Sequence, residues 1–370
     1  MKKKLLFIII GVLVLIGAFM FYQKKMSATK VALINYPDFM LTKMEKSNDN
    51  RWVKIKSFKP DNLPDLKSYD QLLVFGMGLE LPATEEAKIA AASEEGVNVF
   101  MQLATNPRLE QLTNMKGDAL DKINEYMANG GTKNYKNLFN YIRRDIDGKT
   151  MFTDTVTPPM DMPREAIFYK DDDAIFKTVE EFETYTKKNN IHKADAPRIV
   201  LFTSMPGPFN ANRDHLIQLI EELERRGINV YPIAAFAGRI DYLKEIKPNL
   251  IIYLPHGKLA HGNEMKKLLS KQNVPVLSPI SVFQQYDEWL KDKQGMFGGI
   301  LSQSVTMPEL DGGIVPYALF AQYKDDNGHL LFKAIPERLP KFGQMVENYM
   351  SLKTKSNKDK KVAIVYFKGP

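Results

Sequence analysis

Histidine, carboxylate and arginine side chains capable of chemistry gather in a few short, turn-rich segments of this chain. Pro206 to His215 (PGPFNANRDH) follows an apolar run of strand type and precedes a helical stripe. That is the carboxyl end of a strand, where open α/β sheets bind ligands and backbone N–H groups favour anions. Its plainer reading is a helix cap provided by Asn210 or Asn212. Pro255 to Asn263 (PHGKLAHGN) places His256 and His261 in one strand-end loop, and imidazoles ligate metals and transfer protons. Two histidines at that spacing with no carboxylate beside them form a poor metal signature, so the metal ligands stay unknown. Met307 to Pro316 (MPELDGGIVP) brings Glu309 and Asp311 into one segment bounded by Pro and Gly. Two carboxyl groups facing a cleft suit acid–base work; an Asp-Gly turn with a solvated Glu is the alternative. Tyr126 to Arg144 (YMANGGTKNYKNLFNYIRR) reads most simply as a Gly-started helix whose basic residues complement its carboxyl-terminal dipole.

Other chemistries lack their residues. There is no Gly-rich loop ending in Lys and Ser or Thr, so no nucleotide is expected to bind this chain. Gly76-x-Gly78 lacks the third glycine of a dinucleotide fingerprint, and neither H-E-x-x-H nor G-x-S-x-G occurs. The absence of cysteine excludes thiolate zinc sites, iron–sulfur ligation and a Cys nucleophile within the chain.

The elements that must position these segments alternate between strand and helix. Lys30 to Asn35 (KVALIN), Gln71 to Phe75 (QLLVF) and Val97 to Leu103 read as strands, with helices over Pro82 to Ser93 and Asn134 to Ile146. Thr150 to Pro163 carries three prolines and reads as a linker or a loop between lobes. Arg198 to Thr203 (RIVLFT) is a strand, and Leu216, Leu219, Ile220 and Leu223 stripe a helix that ends at Gly227. Ile228 to Ala235, Leu250 to Leu254 and Val274 to Leu277 then alternate with helical stretches, a flavodoxin-like or Rossmann-like pattern. Gly313 to Tyr323 and His329 to Ile335 flank KDDNG as a β-hairpin, and Arg338 to Leu352 is helical. Lys361 to Phe367 (KVAIVYF) begins a fresh strand with no partner after it, as if a further domain had been cut off.

At the amino terminus, Lys2, Lys3 and Lys4 precede 18 uncharged residues from Leu5 to Tyr22, and Lys24 and Lys25 follow. As a helix that stretch extends about 27 Å, near the hydrocarbon thickness of a bilayer. An uncleaved anchor is expected, because a signal peptide would have a shorter apolar core and a small-residue cleavage site. The lysine balance places the amino terminus inside and the bulk outside the inner membrane, as a single-pass extracytoplasmic or periplasmic protein. The expected fold class is therefore α/β: an amino-terminal transmembrane helix, then Rossmann- or flavodoxin-like parallel-sheet domains with a β-hairpin insertion. The expected divisions are an anchor over 1–26, a first α/β domain over 27–150, a connecting segment over 151–195, a second α/β domain over 196–352 and a further domain starting at 361–370.

With 370 residues, 44% hydrophobic and 26% charged, the chain can build about two domains, each with its own core. Its formal charge of +7 comes from dispersed lysines rather than a basic stripe, so nucleic acid is not an expected partner.

Three of these segments together resemble the large subunit shared by the cobaltochelatases (CobN) and the magnesium chelatases, where it is the H component. They are GGTKNYKNLFNYI from Gly130, RIVLFTSMPGPFNANRDHLIQLIEELERRGINVYPI from Arg198, and SVTMPELDGGIVP from Ser304, the last following a helix that contains Trp289. KVAIVYFKGP resembles the strand that opens the family's next domain. Family members are several times longer, and this chain corresponds to their front portion. The resemblance implies a chelatase-family enzyme with a tetrapyrrole as substrate. His256, Glu309 and Asp311 are then the expected catalytic residues, and Asn212, Arg213, His215 and His261 the expected tetrapyrrole contacts. An anchor running from Leu5 to Tyr22 departs from the soluble chelatases, which insert cobalt or magnesium with ATPase partners, and resembles the membrane-attached haem-utilisation branch, HmuS. That branch implies iron removal from haem, an external reductant, and haem-uptake proteins or an electron donor as partners. The alternatives are an ATP-dependent chelatase subunit and a haem-binding or transfer module without chemistry.

Overall fold

The computed structural model describes residues 2–203, 210–254, 257–259 and 262–366, with side chains from Ile9 onward. The chain divides into two units, one of residues 1–162 with 209–212 and one of residues 163–208 with 213–370.

The first unit runs α1 (Lys2–Lys25), β1 (Thr29–Ile34), α2 (Asp38–Ser47), β2 (Val53–Phe58), β3 (Gln71–Phe75), α3 (Ala83–Glu94), β4 (Asn98–Gln102), α4 (Pro107–Glu110), α5 (Gly117–Asn129) and α6 (Gly131–Tyr141). A π-helical turn, Ile142–Ile146, closes α6. Its four strands are parallel, in the order β2-β1-β3-β4. A parallel sheet covered on both faces needs apolar residues at successive positions, and β1 shows the division. Val31 and Leu33 enter one core with α2, α5 and α6, while Ala32 and Ile34 enter the other with α3. Arg143, fully buried in the π turn, donates to the carbonyls of Ser27, Trp52 and Met151.

The second unit contains β5 (Ala166–Phe168), β6 (Ile175–Phe176), α7 (Val179–Lys188), β7 (Arg198–Thr203), α8 (Asp214–Arg225), β8 (Asn229–Ala234), α9 (Arg239–Ile246), β9 (Leu250–Leu254), α10 (Asn263–Gln272) and β10 (Val276–Leu277). After it come β11 (Ile280–Gln285), α11 (Tyr286–Trp289), α12 (Gly298–Leu301), α13 (Met307–Leu310), β12 (Gly313–Ile314), β13 (Ala318–Lys324), β14 (Leu330–Ala334) and α14 (Leu339–Thr354). A π turn, Ser302–Thr306, joins α12 to α13. The main sheet has the order β12-β10-β9-β7-β8-β5-β6, parallel from β12 through β8 and antiparallel at β5 and β6. Its central strands β7, β8 and β9 are buried almost throughout. The stripe Leu216, Leu219, Ile220 and Leu223 of α8 is buried as its spacing requires. A smaller sheet, β11-β13-β14, holds the hairpin that flanks KDDNG.

The transmembrane part of the expected fold is corrected: among the described residues, no helix is long and apolar enough to cross a membrane. The single-pass inner-membrane topology, its extracytoplasmic placement and the anchor from Leu5 to Tyr22 lose their support accordingly; the side chain of Leu5 lies outside the described residues. Two other differences concern local structure. Residues 163–188, within the expected connecting segment, contribute β5, β6 and α7 to the second unit. Residues 361–366, expected as a strand, lie outside any sheet, with Val362, Ile364, Val365 and Tyr366 at least 79% exposed.

Candidate functional site

The strand-end loops of the second unit's main sheet meet around a buried cation. After β8 the chain turns through Ala235–Gly238 into α9, and the carboxylate of Glu165 accepts the backbone N–H groups of Phe236, Ala237 and Gly238 at 2.7, 2.6 and 2.9 Å. Three amides converging on a helix start form an anion-binding turn, filled here by the chain's own glutamate. The next residue, Arg239, is 1% exposed. Its Nε donates to Ala235 O at 2.7 Å, and its Nη1 to Leu259 O at 2.8 Å and Lys258 O at 3.3 Å. The rings of Phe202, Phe236 and Tyr253 lie 5.3–5.7 Å from its guanidinium carbon. Burial pulls its pKa below the ordinary arginine value.

The loop after β9 is tied on its other side to the helical segment over 298–310. Gly257 N–H donates to Gln303 O at 3.0 Å, within the π turn. A π turn displaces carbonyls from the regular helical ladder, and such turns are frequent at functional sites. Gly257 has φ near +92°, and a β-carbon there would stand 3.9 Å from Met307 Sδ. The described part of the loop after β9, Gly257–Leu259, thereby contacts the helical segment that leads to Glu309 and Asp311. His256 and His261 themselves lie outside the described residues.

Within that segment the carboxylates have different environments. Glu309, in α13, is exposed. Asp311 is buried, its side chain 1% exposed, with Lys266 Nζ of α10 at 3.6 Å from its Oδ1. Gly313 admits no side chain, because a β-carbon would sit 2.4 Å from Ser278 Oγ and 2.9 Å from Pro308 O. This packs the turn after α13 directly on the end of β10. Ile300, Leu301, Leu310 and Ile314 nearby are all at least 39% exposed. Among the described residues no group of three or more His, Asp or Glu side chains is arranged to hold a metal ion.

The expected tetrapyrrole contacts are dispersed. Asn212 belongs to the first unit, where its N–H donates to Phe39 O at 3.0 Å. Arg213 begins α8 in the second unit and is 2% exposed; its Nη2 donates to Asp171 O and pairs with Asp172 at 3.1 Å. Its Nε and Nη1 meet no hydrogen-bond partner among the described residues. Burial lowers its pKa, against the raising effect of Asp172. His215 is also internal, its ring 5.0 Å from Phe320 and 5.7 Å from Phe332. Burial pulls its pKa down to about 4, only partly countered by Asp214, so it is neutral near pH 7.

Sequence reasoning passed over Arg239 and Glu165. The available signal was an arginine directly after the glycine that ends a strand-type run (INVYPIAAFAGR), where a helix start and a ligand edge coincide. Glu165 gave no signal, since the amides it caps are 71 to 73 residues away.

The family described as CobN/Magnesium Chelatase matches residues 124–370. The chain belongs to the CobN/magnesium chelatase family. Among curated relatives, an uncharacterized protein of Methanocaldococcus jannaschii is 28% identical over 305 residues, covering 73% of this chain and 24% of that protein. The H component of the magnesium chelatase of Chlorobaculum parvum is 24% identical, over 67% of this chain and 20% of its own length. The aerobic cobaltochelatase protein CobN of Pseudomonas aeruginosa is 22% identical, over 72% and 22%. The catalytic subunit of cobaltochelatase from Mycobacterium tuberculosis shares the fold, with a TM-score of 0.66 at 16% identity over 90% of this chain and 28% of that one. This CobN-family chain thus spans less than a quarter of the length of the curated relatives named.

Proposed function

We propose that this chain is the tetrapyrrole-handling portion of a chelatase-family enzyme, with haem as substrate and removal of its iron as the reaction. Family membership over residues 124–370 is the observation that carries the tetrapyrrole. The direction rests on the residues available. Releasing iron from haem requires two protons to replace one metal ion on the pyrrole nitrogens, and the suitable donors are carboxylic acids and imidazoles. The tied segments provide that set, with Glu309 exposed, Asp311 buried beside Lys266, and a loop whose sequence carries His256 and His261. Exposed Leu310 and Ile300 give a flat macrocycle apolar surface on the same helical segment. Ferric iron leaves its porphyrin reluctantly, so an external reductant delivering the ferrous state belongs to the reading; the chain has no cysteine and no flavin loop to provide one.

A second reading, metal insertion driven by ATP-hydrolysing partner subunits, is favoured by the names of the magnesium- and cobalt-chelatase relatives. One assay separates the two. Haem is incubated anaerobically with the protein and dithionite, and fluorescence of metal-free porphyrin is followed with and without ATP. Porphyrin appearing at the same rate in both supports iron removal. Metalloporphyrin formed from free porphyrin only with ATP and partner subunits would establish insertion instead. Haem binding with neither reaction would reduce the chain to a haem-holding module.

A further inference from the structure

We infer that Lys266 is the specificity-determining residue of the site, its ammonium receiving a peripheral carboxylate of the tetrapyrrole. The inference rests on the functional reading above and adds to it the group that recognises the rim of the macrocycle. Lys266 stands in α10, whose inner face is marked by buried Met265 and Leu269. Its own side chain is 49% exposed, and its Nζ lies 3.6 Å from Oδ1 of Asp311, whose side chain is 1% exposed. That separation exceeds a hydrogen bond between an ammonium and a carboxylate, which closes to about 2.7–2.9 Å. The buried charge of Asp311 thus holds the ammonium in one place without taking up its donors. An ammonium has three donors, and half of this side chain faces solvent. The chain around Asp311 is apolar and open, with Leu310 59% exposed and Ile314 41% exposed. They share one tight turn, since Asp311 N–H donates to Pro308 O, Gly312 N–H donates to Glu309 O, and β12 begins at Gly313. A cation set beside exposed apolar side chains suits a ligand that is apolar over its face and anionic at its rim. Haem and protoporphyrin have that form, with two ionised carboxylates on one edge of a flat ring. Exposed Glu309 opposes an incoming anion only weakly, because solvent screens it.

The test compares binding of haem with binding of haem dimethyl ester, whose two carboxylates are neutralised, by the whole chain in wild-type form, Lys266→Gln, Lys266→Arg and Lys267→Gln. Lys267 is the control, an exposed lysine at the next position of α10, about 100° further round the helix. The wild-type chain is expected to hold haem about fivefold tighter than the ester, the size of one half-exposed ion pair. Lys266→Gln is expected to lose that preference by weakening haem alone, and Lys266→Arg to keep it. Lys267→Gln is expected to leave both affinities unchanged. Equal affinity of the wild-type chain for haem and ester overturns this inference and leaves the functional reading standing. So does an equal loss of both probes in Lys266→Gln, the result of a merely structural contact with Asp311, or an undiminished preference for haem in that variant. Equal weakening of haem by Lys266→Gln and Lys267→Gln also overturns it, by tracing the attraction to general positive charge. A wild-type chain that binds neither probe overturns the functional reading and this inference with it.

Discussion

At the residue scale, burial decides which titratable groups are available for chemistry. His215 is held neutral against Phe320 and Phe332, its pKa pulled from 6.5 to about 4. The unfolded chain therefore binds a proton that the folded chain refuses between those values. Stability linked to His215 is complete above about pH 6.5 and is lost as pH falls toward 4, roughly 3 kcal/mol in all. Replacing it by leucine should flatten that acid loss, as urea melts at pH 7 and pH 5 will show; an unchanged pH slope would mean that His215 is not the linked group. The two carboxylates separate on the same principle. Glu309 is exposed and Asp311 is buried near Lys266. Glu309→Ala should leave stability within about 0.5 kcal/mol while weakening tetrapyrrole binding about tenfold. Asp311→Ala should cost about 1–3 kcal/mol of stability through the broken buried contact. Equal effects of both variants on melting and on haem titration would remove the distinction.

At the element scale, one glycine joins two of the motifs that carry the family resemblance. Gly130 ends α5 with φ near +60° and ψ near −157°, a region open essentially to glycine alone. A β-carbon there would fall 1.7 Å from Asn210 Oδ1, so GGTKNY and Asn210 meet at this point within the first unit. Gly130→Ala should destabilise the chain by about 2–4 kcal/mol, and Asn210→Ala in the same chain should restore part of that, the clash but not the dihedral strain. A thermal midpoint unchanged by Gly130→Ala would refute the close approach.

The same scale shows what a linear reading reveals. QLLVF and RIVLFT are legible to the residue, as β3 and β7, because a strand buried on both faces needs a short unbroken apolar run and turn residues close it. The hairpin around KDDNG is legible for a similar reason, its turn chemistry being local. β5 and β6 are not, since strands of three and two residues at a sheet edge leave too little pattern to stand out from a proline-bearing connection. The site divides likewise. Its loops follow from strand ends, whereas Arg239 and Glu165 bond to main-chain groups, which have no residue-type signature. Arg213 and His215 carry the right chemistry by type, but their burial follows from α8 packing against the smaller sheet and β5, contacts that no spacing encodes.

At the scale of the whole molecule, the chain spans 20–24% of the length of its curated relatives named above, so the complete catalytic cycle belongs to the proposal rather than to these two units. What the second unit contributes is a place: a loop after β9 clamped by Arg239, a helical segment interrupted by a π turn, and carboxylates of opposite exposure on that segment. The most direct measurement is amide exchange of the whole chain with and without haem, alongside a Soret titration of binding. Saturable binding is expected, with protection concentrated over Gly257–Leu259 and residues 302–311 and absent from α8 around His215. Saturable binding that protects only the first unit, or no binding of haem or protoporphyrin at all, would contradict the placement of tetrapyrrole chemistry on these loops.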